Sequence, residues 1–220
     1  MPVPPEQNKS IQHMTHYSNL SNIIAGGIYS GCELRRQHIV PTNIGHTQLK
    51  NDRSRRVVNI QPGGTLDNYV PFFFTNRPPM IVAIARGAVS DYGGTQREVV
   101  YLVSSTKTIV DYSCPYCFTD GHAVERITDY YNQLEDLRNI DWPAVDAWDW
   151  RPTASDPDRQ RKKQAEFLVR NHVPWECIES ITVKDLEMNQ IVQQIIHSSH
   201  THHAPSININ RNWYYNPRRR

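Results

Sequence analysis

Three features of the 220-residue sequence predict an α+β fold. The run VVYLVSS (99–105) is almost continuously apolar, as a strand buried on both faces must be. Further strand-like runs flank it on either side in the chain: IQHMTHYSNL (11–20), YVPFFFT (69–75), QAEFLVR (164–170) and SITVKD (180–185). Helical spacing of apolar residues is confined to the edges, at Leu20, Ile23 and Ile24 and again at Ile191, Ile195 and Ile196.

Each element follows from local chemistry. IQHMTHYSNL reads as a strand that leads into a helix, with Ser18 or Asn19 as cap and Gly26-Gly27 as stop. Residues 33–62 are polar and irregular and read as a long loop. Pro62-Gly63-Gly64 is a turn. In YVPFFFT, Pro71 cannot donate to a ladder and is expected at an edge or a bulge. MIVAIARG (80–87) is a short helix or strand, and FTDGHA (118–123) a turn. The spacing in AVERITDYYNQLEDL (123–137) predicts a helix. IDWPAVDAWDWRPTASDPD (140–158), rich in Pro, Asp and Trp, reads as a second long loop. LEMNQIVQQIIHS (186–198) is a helix with one apolar face. No repeat or low-complexity linker divides the chain, so one domain over 1–220 is expected.

The net charge of +2 rules out a globally basic nucleic-acid binder. Positive charge is local, at Arg53–Arg56 (RSRR), at Arg159–Lys163 (RQRKK) and at Arg218–Arg220 (RRR). Each patch is either a solvated face or a set of phosphate contacts. No run approaches the roughly 20 apolar residues of a membrane helix. The start MPVPPEQNKS lacks the pattern of a signal peptide, so a soluble, cytoplasmic monomer is expected. Cys114-Pro-Tyr-Cys117 resembles the redox pair of glutaredoxins, but it lies mid-chain and has no second pair to complete a zinc site. Incidental thiols, a redox pair and a metal site stay open for it. The tail HSSHTHH (197–203) is a polar surface tail or a loose metal binder.

The sequence contains no GxGxxG, no GxxxxGK[ST], no HExxH and no GxSxG, which removes many common enzyme classes. What remains is a set of polar residues at the ends of apolar elements: His16, Arg53, His122 and Glu166. Singly, each has a plain reading. His16 caps or packs, Arg53 is a solvated loop arginine, His122 is a surface turn residue, and Glu166 pairs with Arg161 or Lys163.

Their order along the chain is more specific. The segments HMTHYSNLSNIIAGGIY, NIGHTQLKNDRSRRVVNIQPGGTLDNYVPFFFT, RPPM, FTDGHA, IDWPAV, DPDRQRKKQAEFLV and WYY together resemble the DarT family of DNA ADP-ribosyltransferase toxins. GGTLDNYVPFFF, and QAEFLV following DPD, are the most specific of them, and the resemblance covers nearly the whole chain. It implies an ADP-ribosyltransferase fold: two small packed β-sheets, flanking helices and a cleft for NAD. Glu166 matches the catalytic glutamate. Arg53 matches the catalytic arginine, chosen within DRSRR by ungapped alignment from NIG to PGG. Thr15, His16, Tyr17, Asn19, Ile24 and Arg53 match NAD contacts, and residues 35–55 an NAD-binding loop. The segment 122–166 matches the substrate-recognition loop, with His122, Met80, Arg159 and Arg161 as DNA contacts. NAD is implied as co-substrate and no metal is needed. Implied partners are single-stranded DNA and an antitoxin macrodomain that removes ADP-ribose.

The chemistry is consistent with those residue types. When nicotinamide leaves NAD, the ribose acquires oxocarbenium character, and a fixed carboxylate near its 2′-OH stabilises that charge. Thymine N3 becomes a nucleophile once its proton is taken by a general base. The family acts on thymine in one branch and guanine in another; thymine is favoured here. The rivals are a transferase acting on RNA or protein, and a non-catalytic nucleic-acid-binding module, which has no use for Glu166.

Overall fold

The run at residues 99–105 does lie inside a sheet. A computed structural model describes residues 3–216, so the Arg218–Arg220 patch lies outside the described residues. In chain order the elements begin β1 (Ser10–His16), α1 (Leu20–Gly26), β2 (Ile28–Tyr29), α2 (Gly31–Arg36), α3 (Thr47–Arg55), β3 (Tyr69–Phe73) and α4 (Pro79–Ala85). They continue β4 (Val99–Ser105), α5 (Thr106–Asp111), β5 (Tyr116–Thr119), β6 (Tyr130–Tyr131), α6 (Trp142–Asp146) and α7 (Arg159–Lys162). Last come β7 (Glu166–Arg170), β8 (His172–Val173), β9 (Ser180–Val183), α8 (Leu186–Ser198) and β10 (Ser206–Ile209).

Eight strands lie in the order β10-β9-β4-β1-β3-β7-β5-β6, and β2 pairs with β8 in a small second sheet. β1 and β4 pair along their whole length, from Ser10↔Ser105 to His16↔Val99. β3 and β7 do the same, from Tyr69↔Arg170 to Phe73↔Glu166. Between β1 and β3 only Gln12↔Phe73 is paired. The eight strands are therefore two four-stranded halves that part at this seam.

Alternation explains the continuous run of β4. Val100 and Leu102 face the main core with Ile11, Phe72, Phe118 and Phe167, so both halves share that core. Val99, Tyr101 and Val103 face the other way, onto a second core with Met14, Ile81, Ile84 and Tyr214. Burying each Phe or Leu side chain contributes about 1.5–3 kcal/mol, enough to hold a strand with no solvent face. α1 ends at Gly27, whose φ of 82° suits glycine alone; a Cβ there would stand 2.4 Å from the Val173 carbonyl oxygen.

Four expectations are corrected. Residues 123–137 form no α-helix. Tyr130 and Tyr131 extend to pair with β5 as β6, and Leu134–Asn139 is a 3₁₀ helix. Its apolar residues divide between two cores, Ala123 and Tyr130 in a third small cluster and Leu134 and Leu137 in the main one, so the spacing does not mark one helical face. The supposed loop 33–62 contains most of α2 and all of α3. α3 has no buried residue, hence no apolar stripe to betray it. The 140–158 loop contains α6, started by the Asp141 side chain accepting from Ala144 N–H. Pro71 lies inside the strand order, not at an edge. Its carbonyl accepts from His13 Nδ1 at 2.8 Å across the seam, so its missing N–H also faces the seam, where the ladder is already open.

Candidate active site

The seam between the halves opens into a cleft of about 610 Å³, in the size range of ligand sites (roughly 300–1,000 Å³). β1 supplies His13 and Thr15 to one wall. β3 supplies Tyr69, Pro71 and Phe73 to the other, and α3 brings Lys50 and Arg53 over it.

Glu166 stands at the head of β7, only 2% exposed. Its Oε2 accepts from Arg53 Nη1 at 2.9 Å, across 113 residues of sequence. Its Oε1 accepts from the Ala123 N–H at 3.1 Å. Both carboxylate oxygens are thus held, one by a guanidinium and one by backbone. Arg53 Nη2 is buried with no hydrogen-bond partner among the described residues, a donor left in the cleft wall. Of the arginines in DRSRR, Arg53 makes this pair. Arg55 is exposed, and Arg56 donates to the Glu125 carbonyl at 3.0 Å.

The remaining expected residues fall into two groups. Thr15, Asn19, Met80 and His122 line the same cleft as Arg53 and Glu166. Asn19 is not a side-chain helix cap. Its amide donates to Thr15 Oγ1 and to the Thr42 carbonyl, each at 3.0 Å, and accepts from Thr42 N–H at 2.8 Å, tying the 37–46 segment to β1. His16, Tyr17 and Ile24 lie outside the cleft lining. His16 Nδ1 accepts from Ser18 N–H and starts a 3₁₀ turn, while Ile24 is buried in the main core.

The basic stretch before Glu166 is also not what its sequence suggests. Arg161 is 11% exposed and grips both Asp120 and Asp158. Lys162 pairs with Asp141 and Asp156. Lys163 is 2% exposed, and its ammonium donates to Thr75 Oγ1, the Val145 carbonyl and the Ala147 carbonyl. Burial pushes it down to about 8. Arg161 and Lys162 are held by carboxylates and Lys163 by neutral oxygens, which leaves Arg159 as the residue of this run with no side-chain partner among the described residues. Lys163→Met is expected to cost about 2 kcal/mol in urea unfolding, because it strands two carbonyls and a hydroxyl. An unchanged unfolding midpoint would show that the ammonium holds nothing.

Sequence reasoning missed His13 and did not single out Lys50 within the 35–55 segment. Both were accessible by periodicity: His13 is two residues before Thr15 on the same strand face, and Lys50 three before Arg53 on α3. Burial pushes the His13 imidazole below its usual range. The CPYC cysteines sit in different surroundings. Cys114 packs on the main core, and Cys117 is fully buried in the third cluster, its thiol pushed up to about 12 by burial. Among the described residues no three His, Cys, Asp or Glu gather as metal ligands, and no helix is long and apolar enough to cross a membrane. In the tail, His203 Nε2 bonds the Ile178 carbonyl at 2.7 Å.

Residues 12–215 match the family model described as ssDNA thymidine ADP-ribosyltransferase, DarT. A DNA ADP-ribosyl transferase of Thermus aquaticus is 36% identical over 94% of this chain and 90% of its own length. A solved structure of Thermus sp. 2.9 DarT with ADP-ribosylated ssDNA superposes with a TM-score of 0.88 at 34% identity, covering 98% of this chain and 100% of that one. The same protein has been solved with NAD+, and that complex superposes with a TM-score of 0.84. A DNA ADP-ribosyl transferase–DNA ADP-ribosyl glycohydrolase fusion protein of Thermosipho africanus is 24% identical over 86% of this chain and 46% of its own length. The fold is that of the DarT ADP-ribosyltransferases, and the chain belongs to the DarT family of NAD-dependent DNA ADP-ribosyltransferases.

Proposed function

We propose that this protein transfers ADP-ribose from NAD to thymine in single-stranded DNA, in a short sequence context, with Glu166 and Arg53 as its catalytic residues. The Arg53–Glu166 pair at 2.9 Å in the cleft wall carries this reading. The bond from ribose C1″ to nicotinamide breaks, and its electron pair leaves with nicotinamide. The Glu166 carboxylate orients the ribose 2′-OH and stabilises the positive charge on the ring. Thymine N3 attacks C1″, and its proton passes to Glu166. Arginine is too basic to take that proton. Its unpaired Nη2 is the donor suited to negative charge developing on the base.

A base must leave its stack to reach the ribose, which favours single strands. His122 and Met80, in the cleft wall, are the residues proposed to meet the base, with Thr15 and Asn19 on the NAD side. Such a lesion blocks replication, so the protein acts as a toxin in the cytoplasm, as a monomer. It needs an antitoxin that removes ADP-ribose from DNA, a pairing supported by the Thermosipho africanus fusion of a DNA ADP-ribosyl transferase with a DNA ADP-ribosyl glycohydrolase.

Oligonucleotides differing at one base, with RNA and duplex versions, incubated with NAD and weighed by mass spectrometry, test the acceptor. One ADP-ribosyl unit is expected on thymine-bearing single strands, and about tenfold less product on RNA, whose uracil lacks the 5-methyl contact and whose 2′-OH alters the fit. Labelling confined to guanine, to RNA or to a terminal phosphate would overturn the assignment of acceptor. Binding without any labelling would favour a non-catalytic module.

A further inference from the structure

The β5–β7 ladder stops one residue short of Glu166. Its last pair is Phe118↔Phe167, and the next would be Thr119↔Glu166. At that position a side chain replaces the backbone partner. The Glu166 N–H donates to Thr119 Oγ1 at 3.1 Å, and the same hydroxyl donates to the Gly121 carbonyl at 2.7 Å. Two residues beyond Gly121, the Ala123 N–H holds Glu166 Oε1 at 3.1 Å. These bonds close a ring: from the backbone of Glu166 through the Thr119 hydroxyl to the Gly121–Ala123 turn, and back to the carboxylate. Thr119 has no solvent exposure, so water cannot take over either bond.

The turn is clamped from its other side by Arg161. The Arg161 backbone carbonyl accepts from the His122 N–H at 3.0 Å. Its guanidinium bonds both oxygens of Asp120, at 2.9 and 3.2 Å, and reaches Thr128 Oγ1 at 3.2 Å. Asp158 accepts from Nε and Nη2 on the remaining edge. A Cβ added to Gly121 would lie 2.3 Å from Arg161 Nη1, so the guanidinium rests directly on the turn's backbone. The two ends of segment 122–166 are thus fastened to each other beside the cleft.

We infer that Thr119 and Arg161 are positioning residues for Glu166, acting through the Gly121–Ala123 turn. The inference rests on the proposed role of Glu166. Neither side chain lines the cleft proposed to hold NAD and the base. Arg53 restrains one carboxylate oxygen from the front; the turn restrains the other from behind. Without the turn, the carboxylate keeps its charge and its arginine but can rotate about its own side-chain torsions. A displacement of about 1 Å at a reacting group costs up to ~100-fold in rate.

Thr119→Val keeps the shape of the side chain and removes its hydroxyl; Thr119→Ser keeps the hydroxyl. Parent and both variants, as full chains, are assayed for transfer from NAD to a thymine-bearing single-stranded oligonucleotide, and for the rise in melting temperature that NAD produces. For Thr119→Val, kcat is expected to fall ~100-fold, with KM for NAD within about threefold and the NAD-induced rise retained. Thr119→Ser is expected to return kcat to within about threefold of the parent. A valine variant with parental kcat, a loss confined to KM, or a serine variant as slow as valine would overturn the inference. Should Thr119→Val fail to melt cooperatively, Arg161→Lys decides by the same measurements, since lysine cannot bridge two carboxylates: lowered kcat with KM held supports the inference, and parental kcat overturns it. A parent that labels no DNA overturns the functional reading and this inference together, whereas an active parent beside an equally active valine variant overturns the inference alone.

Discussion

Glu166→Gln is expected to lower ADP-ribose transfer by about a thousandfold or more while the chain stays folded. Glutamine retains an oxygen for the Ala123 N–H, so the strand end and the turn keep their hydrogen bond. It loses the charge that stabilises the ribose and the base that takes the N3 proton. Glu166→Ala is a harsher test than the sequence suggests. A carboxylate 2% exposed, paired with an arginine and a buried N–H, is not a marginal structural group. Alanine is expected to cost about 2 kcal/mol of stability as well as activity, because it leaves Arg53 and Ala123 unpaired. Transfer assays with urea unfolding separate the two effects. Growth of a host expressing each variant gives a third measure, with the parent chain toxic and both variants tolerated. Parental transfer rates in Glu166→Gln would remove Glu166 from the chemistry.

Arg53→Ala is expected to reduce transfer by about a hundredfold, and Arg55→Ala by less than about threefold. The two arginines are two residues apart on α3, and a helix turns them to different sides. Arg53 reaches Glu166, whereas Arg55 is exposed. Arg56→Ala is expected to act differently again, by loosening the Glu125 backbone and the ring of Tyr130 beneath its guanidinium. Steady-state rates of the three variants at saturating NAD check the assignment. A dispensable Arg53 beside an essential Arg55 would shift the catalytic arginine by half a helical turn and break the pairing described above.

Patterns that depend on neighbours in the chain were legible in the sequence. The unbroken apolar run of β4 required burial on both faces, and two cores lie on its two sides. The stripe of α8 and the stop of α1 at Gly27 were likewise local. The segments around Arg53 and Glu166 resembled one family closely enough to single out both residues, although 113 positions separate them. α3 was missed because it buries nothing, and 123–137 was misread because its apolar residues serve two cores instead of one face.

The sequence by itself determined the α+β class, the central strand and the residue types that chemistry on NAD requires. Only the tertiary structure decided what each charge is for. RQRKK reads as a basic patch, yet Arg161, Lys162 and Lys163 are held by carboxylates, carbonyls and a hydroxyl up to 88 residues away in sequence. The Thr119 hydroxyl that sets the backbone of Glu166 lies 47 residues from it. The reason is physical: periodicity records how much of a side chain is buried, while a polar atom's partner is chosen by whichever groups the packed halves bring within about 3 Å.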